Sequence, residues 1–150
     1  MRAASKKELK IRRAKSGDSA RLADLTGQLG YPSTVAQIRE RWRRIQLLSQ
    51  HALFVAESTN EGVVGWLHVS KQPLLESEVR AEVNGLVVAD GQRSLGAGAR
   101  LLAAAEKWAR IHGCKSMSVR SNVIRERAHK FYERNGYEHN KTQKSFRKPL

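Results

Sequence analysis

The stretch Gln92–Leu102, QRSLGAGARLL, sets Gly96 and Gly98 one residue apart at the mouth of an apolar helical run. Glycine inside a helix is destabilising by roughly 1 kcal/mol relative to alanine, so two in the first turn need a reason. The preceding segment, RAEVNGLVVAD (Arg80–Asp90), reads as a strand, which places the glycines at a strand-to-helix junction. A helix N-terminus carries unpaired N–H groups and a partial positive charge. Removing side chains there lets an anion reach the backbone, and Arg93 adds a cation beside it. Two familiar phosphate loops fail on spacing. A dinucleotide fingerprint needs a third glycine where Leu101 stands, and a P-loop needs Lys-Ser/Thr where Ala99-Arg100 follow Gly98. From local sequence alone, close packing of the helix on a sheet explains the glycines as well as an anion site does.

The flanking elements can be read outward from this junction. LKIRRA (Leu9–Ala14) predicts a first strand. SGDSARLADLTGQLG predicts a helix capped by Ser16 or Asp18 and ended by Gly30. YPSTVAQIRERWRRIQLLSQ predicts a second helix from near Ser33, with Val35, Ile38, Trp42, Ile45 and Leu48 as its apolar stripe. HALFVAES, the turn TNEG and VVGWLHVSKQ predict a hairpin. After the fourth strand comes a helix from Gly98 to about His112, a strand KSMSVRS, a helix RERAHKFYERNG, and short closing strands in YEHNK and TQKSFRKPL. The order β-α-α-β-β-β-α-β-α-β-β implies an α/β (α+β) architecture, a mixed sheet flanked by helices.

The 150 residues suit one domain, 1–150, and the 40% hydrophobic content is enough for a core. No apolar run is long enough to span a bilayer and no secretory leader is evident, so a cytoplasmic location is expected. The single cysteine, Cys114, excludes an internal disulfide and reads as a structural thiol. The five histidines show no spacing with Cys, Asp or Glu that argues for a metal. The formal charge of +14, from 28 Lys+Arg against 14 Asp+Glu, favours anionic partners. Candidates are nucleic acid, an acidic protein or a phosphate-rich cofactor.

Arg93-Ser94-Leu95-Gly96-Ala97-Gly98 is similar to R/Q-x-x-G-x-G/A, the acetyl-CoA signature of the GNAT (Gcn5-related) N-acetyltransferases. SNVIRERAHKFYERNGY is similar to that family's second hallmark: an Asn, a helix bearing Phe/Leu-Tyr, then Gly-Tyr/Phe. The element order resembles the family's across essentially the whole chain. The resemblance implies a mostly antiparallel sheet of about six to seven strands flanked by about four helices, with splayed fourth and fifth strands. It implies acetyl-CoA as cosubstrate, its pyrophosphate on backbone N–H groups of Leu95, Gly96, Ala97, Gly98 and Ala99, with Arg93 and Ser94 beside them. The pantetheine arm would pair like an extra strand with Leu86, Val87 and Val88. Asn122, Arg125 and His129 would face the cofactor. Asn122 lies ten residues before Tyr132, where many members have seven, a longer form similar to some aminoglycoside-type members. The partners implied are acetyl-CoA and an amine acceptor, with no membrane, nucleic acid not expected and a homodimer left open.

Acetyl transfer requires that the amine lose a proton, the thioester be polarised and the leaving thiolate be protonated. Tyr132 resembles the family's thiolate acid. Arg125, His129 and Tyr132 form one helical stripe at i, i+4, i+7, and Ile124, Ala128 and Phe131 the neighbouring apolar one. Glu82 is the base candidate, at the place of the catalytic Glu in histone-type members. By period two it shares a face with Asn84 and Leu86 unless a bulge shifts the register. His129 is a lesser candidate for the base. Trp66 and His68 share a strand face with Val64. Tyr31, Pro32 and Trp42 are candidates for an acceptor wall, with core packing the equal alternative. The competing reading is a basic domain that binds nucleic acid or an acidic partner through Arg39, Arg41, Arg43 and Arg44 with little catalysis. Charged residues on an amphipathic helix usually form its wet face.

Overall fold

The computed structural model describes residues 8–92 and 95–150, which fall into two units, Met1–Val119 and Arg120–Leu150. In the first unit β1 (Leu9–Arg13), β2 (His51–Ser58), β3 (Gly62–Leu74), β4 (Ser77–Val88) and β5 (Ser116–Val119) form one sheet in sequence order. The first three pairings are antiparallel. The last is parallel and covers only Arg80–Val83 against Ser116–Val119. A parallel neighbour needs a crossover, which α3 (Ala97–Ile111) supplies.

Cross-strand partners point to the same side of a sheet, so the register sorts the residues onto two faces. One face carries Ala52, Leu67, Val69, Ala81 and Val83, all buried. It receives α3 through Leu101, Leu102, Ala105 and Trp108. The other face carries Val55, Val64 and Trp66 and receives α1 (Ser19–Leu29), whose Leu22 and Leu25 are buried. Helix α2 (Val35–Gln46) begins at Thr34, whose hydroxyl accepts from the Gln37 N–H (3.1 Å) while the Gln37 side chain accepts from the Thr34 N–H (2.9 Å). Its expected apolar stripe is only partly realised. Ile38 is buried and Trp42 and Ile45 half-buried, whereas Val35 is exposed and Leu48 lies exposed beyond the helix end. Asp18 does not cap α1 with its side chain. Its carboxylate accepts instead from the Arg12 guanidinium and the Lys15 N–H, and Arg12 also pairs with Glu57, tying β1 to β2 and to the 3-10 turn at Ser16–Asp18.

Strand β4 is irregular. His68 pairs with Gly85 and Val69 with Val83, leaving Asn84 as an extra residue. The bulge is the register shift that takes Leu86 off the face it would otherwise share with Glu82. Glu82 lies on the α1 side with Gly85 and Val87, opposite Ser70, while Leu86 and Val88 move to the α3 side.

In the second unit α4 (Glu126–Arg134) is the one helix among the described residues. It ends in a Schellman motif: the Tyr137 N–H bonds the Tyr132 carbonyl (3.0 Å) and the Gly136 N–H the Glu133 carbonyl (3.1 Å). The motif requires a left-handed residue, and Gly136 has φ +89°. Residues 138–150 form no strand, so the sheet has five strands rather than six or seven. YEHNK and TQKSFRKPL are polar and charged, with Phe146 89% exposed, and offer no apolar face to bury against a sheet.

Candidate active site

The open side of β4 is the first component. Beyond Val83 no strand pairs with its β5-facing edge among the described residues, so residues 84–88 keep one edge of backbone groups available. Leu86, Val87 and Val88 lie on that segment.

From there the chain turns through Ala89–Gln92 and reaches α3. The Gln92 N–H bonds the Ala89 carbonyl (3.1 Å) and the Leu95 N–H the Gln92 carbonyl (3.3 Å). Helix α3 starts at Ala97, one residue earlier than expected, with Gly96 as its N-cap at φ +71°. No side chain caps this end. A Cβ built on Gly96 would meet nothing within 4 Å, so Gly96 is required by its left-handed backbone, and the space beside it is open. Ala97 is buried, whereas Gly98 and Ala99 are half-buried in the first turn. Arg93 and Ser94 lie outside the described residues.

On the α1 side of the sheet the same strands carry a polar row. His51, Ser70, Glu82 and Ser118 are register partners across β2, β3, β4 and β5. Ser70 is fully buried, and its hydroxyl accepts from the Asn84 side-chain amide (2.8 Å) and from that of Gln72 (2.9 Å). Asn84 thereby turns its side chain onto the Glu82 face. His68 Nε2 and His51 Nδ1 share a hydrogen bond of 3.0 Å. Burial pushes the His68 imidazole down to about 4, with the His51 charge acting in the same direction. Sequence reading placed Glu82 but missed this row, because the hydrogen-bonded partners come from three strands. Cys114 is half-buried, and burial raises its thiol above its ordinary value despite Lys71, in keeping with a structural thiol.

Tyr132 sits in the second unit, on α4. Burial raises its phenol above the ordinary 10, with Arg125 opposing, so the phenol is protonated at neutral pH. Its ring meets Phe131 and Tyr137 edge-on, at 5.2 and 5.9 Å between centroids. Asn122 is occupied locally: its side-chain oxygen accepts from the Ile124 N–H (3.1 Å) and its carbonyl from the Arg125 N–H (3.0 Å). His129 donates Nε2–H to the same carbonyl (2.8 Å). Arg125 is the N-cap of α4. The expected stripe through Ile124 is corrected, since Ile124 lies in the turn before the helix and is 80% exposed.

Residues 22–137 match the Acetyltransferase (GNAT) family. The uncharacterised N-acetyltransferase YhfO of Bacillus subtilis is 28% identical over 134 residues, covering 87% of this chain and 90% of that protein. Among solved structures, aminoglycoside N-acetyltransferase AAC(6')-Iy in complex with CoA superposes with a TM-score of 0.87 at 18% identity, covering 99% of each chain. A GNAT family acetyltransferase of Staphylococcus aureus superposes with a TM-score of 0.75 at 24% identity, over 95% of this chain and 98% of that one. These two likenesses concern the fold. With the open β4 edge and the glycine-capped α3 lying inside the matched residues, the chain belongs to the GNAT family of acetyltransferases.

Proposed function

We infer that the protein transfers the acetyl group of acetyl-CoA directly to a primary amine. The observation that carries this reading is the run from the unpaired edge of β4, residues 84–88, to the glycine-capped start of α3 eight residues later. The residues fit the cosubstrate. An open strand edge offers N–H and C=O groups to the amides of a pantetheine arm at Leu86, Val87 and Val88. The turn from Leu95 to Ala99, with Gly96 bare of a side chain, offers N–H groups to a pyrophosphate. Arg93 and Ser94 belong to the same segment, and Asn122, Arg125 and His129 complete the proposed cofactor contacts. The family match runs across the boundary between the two units, which supports one functional domain.

Acetyl-CoA supplies the thioester. Glu82 takes a proton from the protonated amine, directly or through a water. The neutral amine nitrogen bonds to the thioester carbonyl carbon, the carbon–sulfur bond breaks, Tyr132 delivers its phenolic proton to the departing thiolate, and the second amine proton, lost as the amide forms, restores the phenol through solvent. Helping a proton move at each end is worth roughly 100- to 10,000-fold. The AAC(6') neighbours act on aminoglycosides, as their names state, and the acceptor of this chain is a separate question because fold does not fix substrate.

The test is CoA-thiol release from acetyl-CoA with a panel of amines, alongside the shift of melting temperature on adding acetyl-CoA. Release dependent on the amine, with a raised melting temperature, is expected. A salt-steep affinity for DNA with no thiol release would favour the basic binding domain instead.

A further inference from the structure

A sheet face that receives helices is normally apolar. Here the face that receives α1 is apolar at Val55, Val64 and Trp66, but polar where β4 begins. Arg80, two residues before Glu82, shares its face and pairs in register with Gln72 on β3 and Ser116 on β5. Arg80 is half-buried, and its Nε is buried without a hydrogen-bond partner. No ion pair to a carboxylate holds it among the described residues. A guanidinium N–H taken from water without an acceptor is unfavourable, and the fork of Arg is shaped for carboxylate or phosphate.

Resting on the acetyltransferase reading above, we propose that Arg80 binds an anionic group of the acceptor, a carboxylate or phosphate, while Glu82 attends its amine. Residues i and i+2 of a strand lie about 7 Å apart along one face, within the reach of an Arg side chain. The acceptor is then a compound whose amine and anionic group are separated by a short chain, such as an amino acid or an aminoalkyl phosphate. Polycationic amines are disfavoured twice, by Arg80 locally and by the +14 charge of the chain at long range. Ser116, Ser118 and Gln72 on the same face are hydrogen-bonding side chains suited to the polar body of such a molecule.

The experiment compares, by CoA-thiol release, free amino acids, their methyl esters, aminoalkyl phosphates, spermidine and tobramycin, in the wild type, Arg80→Gln and Arg80→Lys. Acids are expected to have lower KM than their esters, and whichever of the carboxylates and phosphates has the lower KM identifies the anion. Arg80→Gln is expected to raise KM for the acid about 10- to 100-fold, leave its kcat within a few-fold and leave the ester unchanged, with Arg80→Lys recovering part of the loss. Esters or polycations used as well as acids overturn the proposal, as does an Arg80→Gln variant that affects acid and ester alike. If Arg80→Gln does not fold, the acid–ester comparison in the wild type decides. If no amine is acetylated, the acetyltransferase reading falls separately. Calorimetric titration of the same acids into the CoA-saturated protein then decides for Arg80: binding that Arg80→Gln abolishes supports the anion site, and no binding overturns it.

Discussion

The ring of Tyr137 stands edge-on to that of Tyr132, 5.9 Å away, across the turn in which the Tyr137 N–H bonds the Tyr132 carbonyl. The Gly-Tyr pair after α4 thus fixes the helix end and buttresses the proposed acid in one motif. Removing only the hydroxyl leaves that packing intact. Tyr132→Phe is expected to lower kcat about 100-fold, at the weaker end of general-acid effects because a CoA thiolate leaves without help. Acetyl-CoA affinity and melting temperature should hardly change. Full turnover would remove Tyr132 from the mechanism.

Tyr137→Ala should do the reverse. Loss of the edge-on contact and its buried area is expected to destabilise by about 1–3 kcal/mol, read as a lower denaturation midpoint in urea. Tyr137→Phe, which keeps the ring, should recover the part of the loss that comes from the edge-on contact.

Glu82→Gln is expected to keep acetyl-CoA affinity and to slow turnover of amines that are protonated at neutral pH. The defect should shrink as pH rises and the amine sheds its own proton. An equal defect at every pH would assign Glu82 to structure or to acceptor binding.

Gly96 allows binding and backbone effects to be separated. At φ +71° any side chain is strained, though Asn tolerates the left-handed region better than Ala. Stability should fall in the order Gly, Asn, Ala, with the Ala variant lower by about 1 kcal/mol or more. Gly96→Asn should fold and yet show a reduced melting-temperature shift with acetyl-CoA, and Gly96→Glu should weaken binding further. An unchanged shift in Gly96→Asn would take the pyrophosphate away from this turn.

His68 makes stability pH-dependent. Its folded pKa of about 4 lies below the ordinary 6.5, so on acidification the unfolded chain takes the proton first. The stabilisation is complete above pH 6.5 and is lost as pH falls toward 4, by roughly 3 kcal/mol at most. Urea denaturation at pH 7, 5.5 and 4 should show this slope in the wild type and a shallower one in His68→Gln.

Much of this architecture was legible because periodicity and punctuation are local signals. Gly30, Gly113 and Gly136 mark helix ends in the sequence and adopt positive φ in the structure. The strand-to-helix junction at Gly96 needed only the apolar run on either side. What escaped depended on distant partners. The bulge at Asn84 is defined by β3, and the Ser70 hydrogen bonds come from Gln72 and Asn84 together. YEHNK has no alternation to support the closing strand expected there. Asp18 looked like a cap until Arg12, six residues back, claimed its carboxylate.

The single extra residue in β4 also works as a parity switch. Before Asn84, even-numbered positions face α1, with Arg80 and Glu82 among them; after it, odd-numbered Gly85 and Val87 do. The strand is therefore two half-strands of opposite phase, one presenting side chains to the proposed acceptor site and the other offering main chain to the proposed pantetheine arm. Deleting Asn84 would remove the bulge and leave both halves on the faces they already occupy. Gly85 would follow Val83 directly, opposite His68, with Leu86 and Val88 still toward α3, and only the Asn84 amide on Ser70 would be lost.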